Sequence, residues 1–150
     1  MRKMVDMSAH SEQMEWKKVL KCLEKMLYEY PLLKISLENE RELEQEGLSN
    51  LLPSMTSSYE HRTSKGYSEY QSSTEKYALL RAAKQMKLRQ VERALEVLNM
   101  EEKAIIEEKY FNPMRHFDSY IYDKLGFSKS TYQRLKKSAL KKLAVALNIM

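Results

Sequence analysis

This chain is poor in the residues that interrupt or cross-link a backbone: it has one cysteine, three glycines and three prolines among 150 residues. Cys22 alone closes no internal disulfide, and nothing accompanies it at a metal-ligand spacing. It lies among apolar helix positions, so a buried, inert thiol is expected. So few Gly and Pro, and no convincing apolar–polar alternation, exclude a strand-rich fold and point to an all-α chain. No window approaches the roughly 20 apolar residues that a membrane span requires. The start, Met1-Arg2-Lys3-Met4-Val5-Asp6, has no apolar run after its charges, so a signal peptide is not expected and a cytoplasmic location is.

Catalytic patterns are missing as well. His10, His61 and His116 stand apart from one another, and no H-x-x-x-H or C-x-x-C spacing occurs. There is no G-x-S-x-G elbow and no phosphate-binding glycine loop. An enzyme, a metal centre and a cofactor are therefore not expected. His116, between Arg115 and Phe117, reads as a surface or backbone-contacting histidine.

The last absence is local. From Lys124 to Met150 the chain has six lysines and one arginine and no acid at all, although the whole protein carries a formal net charge of only +5. The preceding residues are thus slightly acidic, and the positive charge is gathered at one end.

What is present divides into three zones. In the first, 1–47, Trp16, Val19, Leu20, Leu23, Met26, Leu27 and Tyr30 recur at three- and four-residue steps, one face of a helix. Pro31 suits the first turn of a new helix, which predicts an N-terminal helical hairpin with a second, acidic helix over Leu32–Glu46 closed by Gly47. The acids Glu38, Glu40, Glu42, Glu44 and Glu46 read as a solvated face, with self-association or partner contact as the sharper alternative. The second zone, 48–73, holds eight serines with Pro53, Gly66 and the scattered Tyr59, Tyr67 and Tyr70. It buries too little apolar surface to offset its ordering entropy and is expected to be a Ser-rich linker. The third, 74–150, opens on a helix starting at Ser73-Thr74-Glu75 and running to about Leu98, with Leu88, Val91, Leu95 and Leu98 as its apolar ladder. Asn99 with Glu102 forms a capping-box pattern before a short helix with Ile105, Ile106 and Tyr110 inward. Asn112-Pro113 ends it. Asp118 is expected to cap the next helix, with Tyr120, Ile121 and Leu125 facing in, and Ser128 the last.

A short helix, a turn at Gly126 and a capped second helix is helix-turn-helix spacing, with Phe127 plugging the angle between the two. At about 100° per residue, Tyr132, Leu135, Ala139, Leu140, Leu143 and Leu147 form the inner face of the final helix. Ser130, Arg134, Lys137 and Lys141 fall opposite, Thr131 and Gln133 lie on the shoulders, and Lys136 lies near the apolar side with its ammonium reaching out. Lysines near a helix C-terminus complement its dipole. That accounts for Lys141 and Lys142 but not for Lys129, Arg134, Lys136 and Lys137, which sit where side chains of a recognition helix reach base edges. Arginine can engage two guanine acceptors and glutamine can do the same for adenine. Ser128, Ser130 and the first backbone N–H groups suit phosphate.

The same residues carry a family resemblance. Ala94-Leu95, Leu98-Asn99-Met100-Glu101-Glu102, Ile105-Ile106, Lys109-Tyr110-Phe111, Ile121 and Lys124 through Tyr132 resemble sigma-factor region 4. They are more closely similar to the phage-encoded ArpU family of transcriptional regulators. Arg134-Leu135-Lys136, Ala139 through Ala144 and Leu147 continue the likeness, and Leu51 through Tyr59 and Ser73-Thr74-Glu75-Lys76 extend it upstream. The chain departs at Tyr122, where such motifs usually have a small residue. The resemblance implies a phage or prophage protein of a Gram-positive bacterium, acting on transcription in the host cytoplasm. The expected function is sequence-specific binding of double-stranded DNA, as a homodimer on two half-sites, through Ser128, Lys129, Ser130, Thr131, Gln133, Arg134, Lys136, Lys137 and Lys141. The alternatives are a protein-interaction module acting on RNA polymerase or another regulator, and a DNA-packaging subunit of the small-terminase kind.

Overall fold

A computed structural model describes residues 2–48 and 73–150, with side chains placed for 9–48 and 74–150. The expected Ser-rich linker, with its tyrosines, lies outside the described residues except for its two ends. All regular structure among the described residues is helical: α1 (Arg2–Gln45), α2 (Ser73–Leu95), α3 (Met100–Ile106), a π-helical turn (Glu107–Phe111), α4 (Asp118–Leu125) and α5 (Lys129–Ala146).

The chain forms two compact units, Met1–Pro31 with Arg89–Met150, and Leu32–Leu88. The expected hairpin at the N-terminus is corrected: α1 passes through Pro31 without a break. An interior proline removes one intrahelical hydrogen bond and costs about 3 kcal/mol. Burial holds the helical register on both sides of it, through Leu23 and Leu27 before the proline and Leu37 and Glu40 after it.

In the first unit, Leu23 and Leu27 of α1 join Val91, Ala94 and Leu95 of α2, Ile106, Tyr110, and Leu140 and Leu143 of α5 in one cluster. Trp16, Val19, Leu20, Met26 and Tyr30 pack against it, as the periodicity required. Cys22, expected to be buried, is exposed instead. The core face is taken by its neighbour Leu23, and one residue of a helix turns a side chain by about 100°. Tyr110 is held by two residues one turn apart on α1. Its hydroxyl donates to Glu24 at 3.0 Å and its ring meets Tyr28 edge-on at 5.1 Å.

The capping box at Asn99 is formed, with the Glu102 N–H donating to Asn99 Oδ1 at 2.8 Å and the Asn99 N–H to Glu102 Oε2 at 3.4 Å. The helix then widens into the π-helical turn, which sequence periodicity did not signal. Its mark is the Asn112 N–H reaching Glu107 O, five residues back, at 2.9 Å. Glu102 is also buried, and it accepts hydrogen bonds from Ser138 and Lys142 of α5.

In the second unit, part of the acidic stretch is not a solvated face. Glu40 is only 7% exposed; it accepts from Lys84 at 3.0 Å and lies near Arg81, which also pairs with Glu44.

Candidate nucleic-acid interface

Two short-range signals build the angle between α4 and α5. Gly126 ends α4 in the left-handed region at φ 77°, a conformation a β-carbon disfavours. Ser128 then caps α5, its hydroxyl accepting from the Thr131 N–H at 3.2 Å. Between the helices, Ile105, Ile121, Tyr132 and Leu135 form a second cluster, closed by Tyr122, Leu125 and Phe127. Tyr122, the bulky departure from the resembling motifs, is accommodated: its ring lies 5.7 Å from that of Tyr132, tilted by 56°. Tyr120, expected to face in, is exposed, because Tyr122 takes the inward position beside Ile121.

Asp118 departs from its expected role. Phe117 occupies the cap position of α4 with no side-chain hydrogen bond, and Asp118 stands in the first turn. Its carboxylate ties three elements together. Oδ1 accepts from Tyr132 at 2.9 Å and pairs with Lys109 at 2.9 Å, while Oδ2 takes Lys136 at 3.4 Å. Burial alone would raise its pKa, but the hydrogen bonds from Lys109 and Tyr132 and the charge of Lys136 hold it below the usual value. The Tyr132 phenol moves the other way, raised first by burial and then by its bond to the carboxylate.

This junction sorts the sequence candidates. Lys136 does not reach outward as expected: its ammonium is engaged by Asp118, and it lies 5.9 Å from the centre of the Tyr132 ring. It is part of the scaffold, since the residue one turn after Tyr132 shares the carboxylate that Tyr132 uses. Thr131 is half-buried, beside the capping hydroxyl of Ser128. Ser128, Lys129, Ser130, Gln133, Arg134, Lys137 and Lys141 are exposed. Among the described residues none of Lys129, Arg134, Lys137 and Lys141 has an ion-pair partner within 4.0 Å. Lys142, by contrast, is held at 2.9 Å from Glu102. The acids of the first unit thus engage Lys109, Lys124, Lys136 and Lys142 and leave one side of α5 positively charged.

One feature beside this face has no local sequence signal. Lys137 and Lys141 line a groove of about 790 Å³, floored by Trp16, Val19 and Ile149, with Glu12 and Glu15 of α1 also lining it. Residues more than a hundred positions apart meet there, so no motif could announce it. Among the described residues, no group of three or more His, Cys, Asp or Glu is placed to hold a metal ion, and no helix is long and apolar enough to cross a membrane.

Comparison with protein-family models, curated proteins and solved structures returned no match. The geometry of α4, its turn and α5 therefore stands on its own.

Proposed function

We propose that this protein is a sequence-specific DNA-binding regulator of transcription, with α4 and α5 as a helix-turn-helix and α5 as the helix that enters the major groove. One observation carries the reading. Lys129, Gln133, Arg134 and Lys137 are exposed along the first turns of α5, and the cations among them are free of intramolecular carboxylates within the described residues. Like charges on one helix face repel and are relieved by a polyanion. The residues that resemble sigma-factor region 4 and the ArpU family support the same reading, and with it a phage or prophage setting.

Roles follow from position. Arg134 and Gln133 sit near the N-terminal end of α5, where base edges are read. Lys129, Ser130 and Ser128 suit the adjacent phosphates. Lys137 and Lys141 lie further along, where the carboxylates of Glu12 and Glu15 share their groove, so their expected contribution is phosphate attraction. That same groove, apolar at its floor and charged at its edges, favours a second reading, in which α5 docks on a protein such as RNA polymerase.

A gel shift with random duplex DNA at two salt concentrations tests both. DNA binding predicts a complex at low salt that weakens steeply as salt rises, with Lys137→Ala flattening that dependence by about one unit of slope. Arg134→Ala on a selected operator is expected to lose about 1–3 kcal/mol and to relax base preference at one position. No shift at low salt would overturn the reading in favour of protein docking.

A further inference from the structure

The groove beside α5 belongs wholly to the first unit, and it forms where α1 runs past its own core. Leu23 and Leu27 are fully buried, Trp16 and Val19 before them are half-buried, and every residue from Ala9 to Glu15 is exposed. The first turns of α1 therefore overhang the bundle, and a space of about 790 Å³ opens between them, α5 and the residues that follow α5. Its floor is hydrocarbon: Trp16, Val19 and Ile149 pack against the core and also line the groove. A space of that size, apolar with a few placed charges, is of the kind that holds a small organic molecule.

The charges select the molecule. On the α5 wall Lys137 and Lys141 stand one turn apart, and among the described residues neither has a carboxylate within 4.0 Å. On the α1 wall Glu12 and Glu15 outnumber Lys18. An acid group in the groove is drawn to one wall and repelled by the other, which gives it a single orientation. With three lysines against two glutamates the groove is net positive, and it adjoins the cationic face of α5, so an anion is favoured over a cation. A neutral apolar molecule would leave both ammoniums unused, and a purely polar anion would leave the floor unused.

We propose that this groove binds a small amphipathic anion, one carboxylate on an apolar body, with the carboxylate at Lys137 and Lys141 and the body over Trp16, Val19 and Ile149. Occupancy takes up two ammoniums that the DNA-binding reading assigns to phosphate, so the ligand weakens the DNA complex. That consequence rests on the DNA-binding reading; the binding itself does not.

Trp16 is the only tryptophan of the chain, so its emission reports the groove. The full chain, free of DNA, is titrated with decanoate. A blue shift of the emission is expected, saturating with a dissociation constant on the order of 100 µM. Decanol and decyltrimethylammonium, which keep the chain and lack the negative charge, are expected to bind about tenfold more weakly. The double variant Lys137→Gln and Lys141→Gln, with helicity by circular dichroism unchanged, is expected to bind decanoate no better than decanol. In a gel shift at low salt, saturating decanoate is expected to weaken the wild-type DNA complex about tenfold.

Trp16 emission that decanoate leaves unchanged overturns the site and leaves the groove to a protein partner. Equal affinity for the three ligands, or decanoate binding that the Gln variant retains in full, overturns the proposal as well. A saturating shift with unaltered DNA affinity overturns the competition alone. A protein that shifts no DNA, yet binds decanoate through the two lysines, overturns the DNA-binding reading and upholds the site.

Discussion

Glu102 is only 2% exposed, yet it serves two ends of the first unit at once. It closes the cap of α3 and accepts from Ser138 and Lys142 of α5. Replacing it with alanine strands Lys142 and removes the half of the capping box that the carboxylate supplies, while the backbone N–H of residue 102 still donates to Asn99. Breaking such a pair is costly, but Lys142 is 44% exposed at its side chain and can be rehydrated. Glu102→Ala is therefore expected to cost about 2–3 kcal/mol in urea unfolding. Glu102→Gln, which keeps the acceptor for the cap, should cost less. Asp118 offers a test by pH. Its folded pKa is depressed, so its contribution is complete above the unfolded carboxylate value of about 3.9 and is lost as pH falls through the lower folded value. Glu108, held down first by its hydrogen bond from Lys124, has the same sign. The melting temperature should thus be flat from neutral pH down to about 5 and fall below about 4. In Asp118→Asn the melting temperature is expected to be lower at neutral pH, with the gap to the wild type closing in acid. A gap that stays constant with pH would contradict the ion-pair role.

At the scale of elements, local chemistry was legible wherever a single residue type had a single use. Gly126 in the left-handed region, Ser128 as a cap and the Asn99–Glu102 box were readable because each answers a short-range backbone need. Open space surrounds a β-carbon placed on Gly126, so Gly126→Ala is opposed by backbone conformation alone. About 1–2 kcal/mol of destabilisation is expected in denaturant titration, with DNA affinity retained once the protein is folded. Elements failed to be legible where the signal had two uses. Pro31 starts helices more readily than it sits within them, and the burial that keeps α1 whole depends on residues distant in sequence. Asp118 is a good cap by type, but a buried tyrosine hydroxyl and two lysines compete for its oxygens. Lys136 shows the same competition on α5: the helical wheel put it at the edge of the apolar face, and only the position of Asp118 decided that its charge turns inward.

At the scale of the whole molecule, the all-helical class, the inner face of α5 and its acid-free outer face followed from composition and period, which depend on neighbours in sequence. Tyr132, Leu135, Ala139, Leu140 and Leu143 are buried as a period of 3.6 requires. Which lysines stay free was a tertiary decision, because it depends on where Asp118, Glu102 and Glu108 come to lie. So was the assignment of the first part of α1 to the same core as α5, since Leu23 and Leu27 meet Leu140 and Leu143 across more than a hundred residues of chain. The acidic stretch divides in the same way. Sequence alone determined that Glu38 to Glu46 carry charge on a helix; the structure decided that Glu40 is spent in a seam with Lys84 and Arg81 while Glu38, Glu42 and Glu46 remain exposed. Helical period and capping act over a few residues and are written in order along the chain, whereas ion pairing and burial depend on distances that exist only after folding.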